Sequence, residues 1–142
     1  MANKLATRSS GRVLSAEFIF NLTDTMDTTA GVNQAFSTAA GVYDVIRLPA
    51  MAYVVGGEIV VETASNDSST ATLAVGDSAS AARYLAATSI KTAARTALVP
   101  TGFVTTGNDL RITLANAGGD ATAGKVRVRV EFVIQNNVHE NN

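Results

Sequence analysis

The sequence predicts an all-β protein, an antiparallel β-sandwich entered by an extended N-terminal arm. Three observations carry that expectation. Lys125–Ile134 alternates Val126, Val128, Val130, Phe132 and Ile134 with Lys125, Arg127, Arg129, Glu131 and Val133, the two-residue period of a strand with one buried face. Turn signals recur at a spacing of about 8–12 residues, as in sandwiches. Helical periodicity never persists long enough for a βαβ unit, which disfavours a parallel α/β sheet.

Taken in order, residues 1–11 are polar, Gly- and Ser-containing and aperiodic, and read as an extended arm. Leu14, Ala16, Phe18 and Phe20 alternate with Ser15, Glu17 and Ile19 in a first strand. The Thr-, Asp- and Gly-rich stretch 21–40 holds a short strand near Val32–Phe36. Tyr43–Leu48 follows and ends at Pro49, whose missing N–H stops a ladder. Ala52–Thr63 is a long strand with Tyr53, Val55, Ile59 and Val61 assigned to one parity and Glu58 and Glu62 to the other. Gly56-Gly57 interrupts it and marks a bulge or bend. Asn66-Asp67-Ser68-Ser69 makes a turn, and Ala71, Leu73 and Val75 form the inner parity of a returning strand, so that 52–75 reads as a hairpin.

Ser78–Ala87 reads equally as one helical turn or as extended chain. Thr96–Val99 and Gly102–Thr105 are short strands around Pro100, Asp109–Leu114 alternates cleanly, and Asn116–Gly124 is a Gly/Ala loop before the last strand. Seven or eight strands with one bent strand suit a jelly roll best among sandwiches. The resulting division is an arm at 1–11, a sandwich domain at 12–136 and a tail at 137–142.

Composition narrows the function. With 142 residues the chain is one ordinary domain, 46% hydrophobic and only 16% charged. So few solubilising charges fit a subunit whose surface is partly covered by neighbours. A net charge of −1 gives no reason to expect a nucleic-acid binder. Cys is absent, which removes disulfides, thiolate metal sites and a cysteine nucleophile. The start of the chain lacks the apolar run of a secretory signal, and no segment approaches the roughly 20 apolar residues of a membrane span, so a soluble protein is expected.

The motifs that resemble chemistry fail on inspection. Gly119-Asp120-Ala121-Thr122-Ala123-Gly124-Lys125 matches a phosphate-binding loop, but Val126 replaces the hydroxyl residue and a strand follows instead of a helix. His139 is the single histidine and sits in a polar tail, a poor place to hold a general base. Glu58 and Glu62 would stand about 13 Å apart along a strand, too far for a glycosidase pair, and read as the solvated or partner-facing side of an edge strand. Asn66, Asp67, Asp77, Asp109 and Asp120 fall in turns without the spacing of a calcium loop. No catalytic, cofactor or metal residue is expected. The residues expected to meet a partner are Lys4, Arg8 and Arg12 of the arm and the stripe Lys125, Arg127 and Arg129 on the outer face of the last strand.

The segments Gly56-Gly57-Glu58-Ile59-Val60-Val61-Glu62-Thr63-Ala64-Ser65-Asn66, Ala71-Thr72-Leu73-Ala74-Val75-Gly76-Asp77 and Ala82-Arg83-Tyr84-Leu85 also carry a resemblance. In this order, with Asn108-Asp109-Leu110-Arg111-Ile112-Thr113-Leu114 and Ala123-Gly124-Lys125-Val126-Arg127-Val128 behind them, they resemble small virion proteins of tailed bacteriophages over about residues 45–135. The resemblance implies a capsid decoration (cement) protein of jelly-roll type. It further implies a homo-oligomer, commonly a trimer, on the capsid exterior, with the major capsid protein as partner and host cytoplasm as the place of assembly. The competing expectation is a receptor- or carbohydrate-binding module of a head fibre or tail. Against it stand the absence of Trp and the low aromatic content, 6%.

Overall fold

A computed structural model describes residues 12–135; the arm with Lys4 and Arg8, and the tail with His139, lie outside the described residues. Eleven strands follow one another without a helix among the described residues. They are β1 (Leu14–Asn21), β2 (Thr25–Asp27), β3 (Asn33–Ala35), β4 (Ala40–Ile46), β5 (Ala50–Thr63), β6 (Ala71–Gly76), β7 (Leu85–Ser89), β8 (Arg95–Ala97), β9 (Val104–Thr106), β10 (Leu110–Asn116) and β11 (Lys125–Ile134).

The first sheet runs β1-β11-β5-β8, with β9 also on β5, and the second runs β4-β10-β6-β7; β2 and β3 form a separate hairpin. All pairings are antiparallel. Setting the small hairpin aside and counting β8 and β9 as one interrupted strand leaves eight strands. The first, eighth, third and sixth make one sheet and the second, seventh, fourth and fifth the other, which is the strand order of a jelly roll.

Side-chain parity explains why the two sheets close on each other. Val126, Val128, Val130 and Phe132 of β11 and Ile59 and Val61 of β5 face Leu73 and Val75 of β6 and Leu110, Ile112 and Leu114 of β10, all buried. Full burial of such side chains contributes roughly 1.5–3 kcal/mol each. Phe36 links the sheets at one end, its ring 4.5 Å from Phe20 and 4.7 Å from Tyr43.

Four sequence expectations need correction. Residues 52–75 do not form a hairpin: β5 belongs to the first sheet and β6 to the second, because both have an apolar inner face that closes over the other. β5 bends at Gly56-Gly57 as expected, and the register against β11 slips there, pairing Gly56 with Glu131 but Val54 with Phe132. That slip inverts the parity before the bend. Ala52 and Val54 are buried, whereas Tyr53 is half-buried and Val55 exposed. β5 is also an interior strand, with β11 on one side and β8 and β9 on the other, so Glu58 and Glu62 do not sit on an edge. Lastly, Ile134, expected on the buried face of β11 with Val126, Val128, Val130 and Phe132, is exposed, and Val133 is buried instead. Of the two readings of Ser78–Ala87, the structure has turns and bends over residues 78–84 that lead into the extended β7.

Candidate assembly surfaces

Three surfaces could meet a partner: the outer face of the first sheet and the two ends of the sandwich. On the outer face, β11 places Lys125, Arg127 and Arg129 in a row, as the sequence indicates. Each already has carboxylate partners on its neighbours. Lys125 Nζ lies 3.6 Å from Glu62, Arg127 lies between Glu17 at 3.7 Å and Glu62 at 3.5 Å, and Arg129 contacts Glu58 at 3.6 Å and Glu131 at 2.7 Å. Arg95 of β8 completes the ladder with a 2.5 Å contact to Glu58. Hydrogen bonding from Arg95 holds the Glu58 carboxyl below its ordinary range, and hydrogen bonding to Glu131 raises the Arg129 guanidinium. Four cations thus balance four carboxylates, and this face carries no net charge.

At the end of the sandwich where β11 begins, a single carboxylate organises two loops. Asp67 is 2% exposed and accepts hydrogen bonds from the backbone N–H groups of Ser69, Gly118 and Gly119, at 2.8, 2.9 and 3.0 Å. These bonds, Ser69 first, outweigh burial and the nearby Asp120 charge, and hold its pKa below the ordinary value. Asp120 returns the bond, accepting from Ser68 N–H at 2.9 Å. Asn66 accepts from Thr122 and Ala123, and Lys91 donates to the carbonyls of Asp67 and Ser69, both at 2.7 Å. A Cβ at Gly118 would stand 2.5 Å from Asp67 Oδ1 and from Ser68 Oγ, so a larger residue there would have to displace these side chains. The turn 66–69 was legible in the sequence; the burial of Asp67 was not, because its partners lie 51 and 52 residues away. The two carboxylates have their oxygens turned to backbone N–H groups, an arrangement that fastens loops.

The opposite end is where the described chain enters at Arg12 and leaves at Gln135. Val13, Met51 and Ile134 lie on or beside three adjacent strands, β1, β5 and β11, and all are exposed large hydrophobics. Arg12 is exposed beside them. Met51 has φ +65°, a left-handed conformation unfavourable to a side chain, and its carbonyl accepts from Gln135 N–H at 2.6 Å. Nearby, Asp77 binds Arg83 at 2.6 Å, and the Arg83 guanidinium covers the Phe103 ring at 3.6 Å. Tyr43 and Tyr84 are buried. Tyr43, Tyr84 and the covered Phe103 ring therefore present no open platform of the kind that sugar binding uses.

No family model matches the chain, and no curated protein matches it. Solved structures do. The fold matches a chain in the capsid asymmetric unit of cyanophage Pam1 with a TM-score of 0.69 and 26% identity, covering 93% of this chain and 94% of that one. Its structural neighbours are phage capsid proteins. Another lies in the acid-stable capsid of Helicobacter pylori bacteriophage KHP30, with a TM-score of 0.62, 18% identity and coverage of 90% and 92%. A third lies in the capsid of Ralstonia phage GP4, also at 0.62, with 15% identity and coverage of 96% and 93%. At their identities the last two speak to the fold alone.

Proposed function

We propose that the chain is a structural virion protein that binds the outer surface of an assembled phage capsid and stabilises it by bridging major capsid subunits, working as a homo-oligomer, a trimer. The observation that carries this reading is the likeness to the Pam1 capsid chain, which spans nearly the whole length of both chains at 26% identity. The surface chemistry supports contact rather than turnover. The end bearing Val13, Met51 and Ile134 is the docking surface: moving such side chains from about half exposed to buried contributes on the order of 1 kcal/mol each. Arg12 flanks it. Lys125, Arg127 and Arg129 take part as members of the balanced ladder, so a neighbour meeting that face must offer both signs of charge.

The test is to add purified protein to assembled capsids that lack it. Binding should saturate at a fixed stoichiometry, and the decorated capsids should withstand heating that opens bare ones. Protein that ignores capsids and binds tail tubes or baseplates would overturn the proposal.

A further inference from the structure

One flank of the sandwich is unfinished. β1 closes the first sheet and pairs only with β11, leaving its other edge without a strand partner among the described residues. The side chains along that edge are also incompletely covered. Five hydrophobic residues pack against the core while remaining partly exposed: Leu14, Ala16 and Phe18 of β1, Met26 of β2 and Val45 of β4. They belong to β1, to β4, which β1 contacts, and to the β2–β3 hairpin, whose loop is tied to β4 by the Thr29 N–H bond to the Val42 carbonyl. The matching inner positions of β11, one strand inward, are buried through Phe132. Proteins that leave a free strand edge beside apolar side chains invite another strand onto it.

The charge of the flank says what kind of strand. Residues 13–46 contain Glu17, Asp24, Asp27 and Asp44 and no Lys or Arg at all. Glu17 and Asp44 have Arg127 and Arg111 as partners, whereas Asp24 binds Asn21 and Asp27 binds Asn33, with no cation in ion-pair reach of either among the described residues. The twelve residues before this stretch are its complement: Lys4, Arg8 and Arg12 with no Asp or Glu. We infer that the flank formed by β1, β2 and β4 receives the basic N-terminal segment 1–11 of a second copy of this chain, added along the free edge of β1.

Length permits it. Eleven residues reach up to about 36 Å, more than the roughly 23 Å that eight-residue β1 spans. Each copy then gives one segment and receives one, a head-to-tail contact that closes into a ring when the rotation allows. The inference rests on the homo-oligomeric part of the proposed function and adds how the copies are joined.

Zero-length carbodiimide cross-linking, which joins an amine to a carboxylate in direct contact, tests it on the full chain. Copies labelled with ¹⁴N and ¹⁵N are mixed in denaturant, refolded together so that oligomers contain both, cross-linked and digested. Lys4 should be joined to Glu17, Asp24 or Asp27 in peptide pairs that carry one isotope on each side. Links made only within one isotope would mean that the segment folds back on its own flank, and would overturn the inference. So would an oligomer in which Lys4 forms no link to these carboxylates. In a second variant, K4E/R8E, self-association should weaken at least about tenfold, as charge reversal against an acidic surface demands, while the far-ultraviolet dichroism stays unchanged; undiminished self-association sinks the idea. Capsid binding is scored separately. Chains that keep mixed-isotope links but ignore capsids refute only the capsid reading, and chains that bind capsids without such links refute only this one.

Discussion

The two ends of the sandwich are built on opposite plans. At the end where β11 begins, loops from both sheets are fastened to one another through Asp67, Asp120, Asn66 and Lys91, and the polar atoms there turn inward. At the end where the chain enters and leaves, large hydrophobic side chains point out and Met51 is held in a conformation that costs free energy. The difference teaches where stability and contact are invested. Substitution at the fastened end should destabilise the isolated protein, whereas substitution at the exposed side chains of the open end should chiefly weaken contact with a partner.

Substitution of Asn116 should break this contrast most strongly. Asn116 is fully buried at the fastened end, where its side-chain amide donates to the carbonyls of Phe36 and Thr38 at 2.8 and 3.1 Å. Asn116→Ala strands both acceptors and should cost about 2–4 kcal/mol in chemical denaturation. A loss under about 0.5 kcal/mol would show that the segment 36–39 is held by other means.

Acid should sharpen the contrast next. The folded pKa values of Asp67 and Asp120 lie below the ordinary 3.8, because backbone N–H groups of Ser69 and Ser68 stabilise their charged forms. A lowered folded pKa contributes stability that is complete above the unfolded value and lost as pH falls through the folded one. The protein should therefore hold its thermal midpoint down to about pH 4 and lose it below. Asp67→Asn should lower the midpoint at neutral pH and make the acid limb shallower. An unchanged limb would move the acid sensitivity to Asp120, Asp77 or Glu58, whose folded values are also lowered.

The smallest expected effect has the opposite sign. Met51→Gly relieves a left-handed residue and removes an exposed side chain, so the isolated protein should gain about 0.5–1 kcal/mol. Under the proposed function the same variant binds capsids more weakly, which a sedimentation assay reads. A variant that is destabilised, or that binds as tightly as the parent, would remove Met51 from the open end's role.

How much of this was legible in the sequence follows from the range of the interactions. β11 and β1 were readable because alternation is local and each carries an apolar face, although Leu14, Ala16 and Phe18 stay half-buried and the alternation of β11 fails at its end, where Val133 is buried and Ile134 exposed. β5 was readable as a strand, yet its parity before Gly56 was inverted, since a register slip depends on the strand beside it. The supposed hairpin at 52–75 failed for a related reason: a short turn says that the chain reverses, not whether the two strands share a sheet. Lys125, Arg127 and Arg129 were visible as a basic stripe, whereas their partners Glu17, Glu58 and Glu62 come from strands far away in sequence. Asp67 was read as a turn residue, and only the fold brings Gly118 and Gly119 to it.

The balanced ladder on the outer face has a consequence for crowding. Alternating charges a few ångströms apart cancel within a short distance, so the field above that face decays faster than the roughly 10 Å over which 0.1 M salt would screen a lone charge. Many copies can then stand side by side without mutual repulsion, and dilution of the medium does not push them apart.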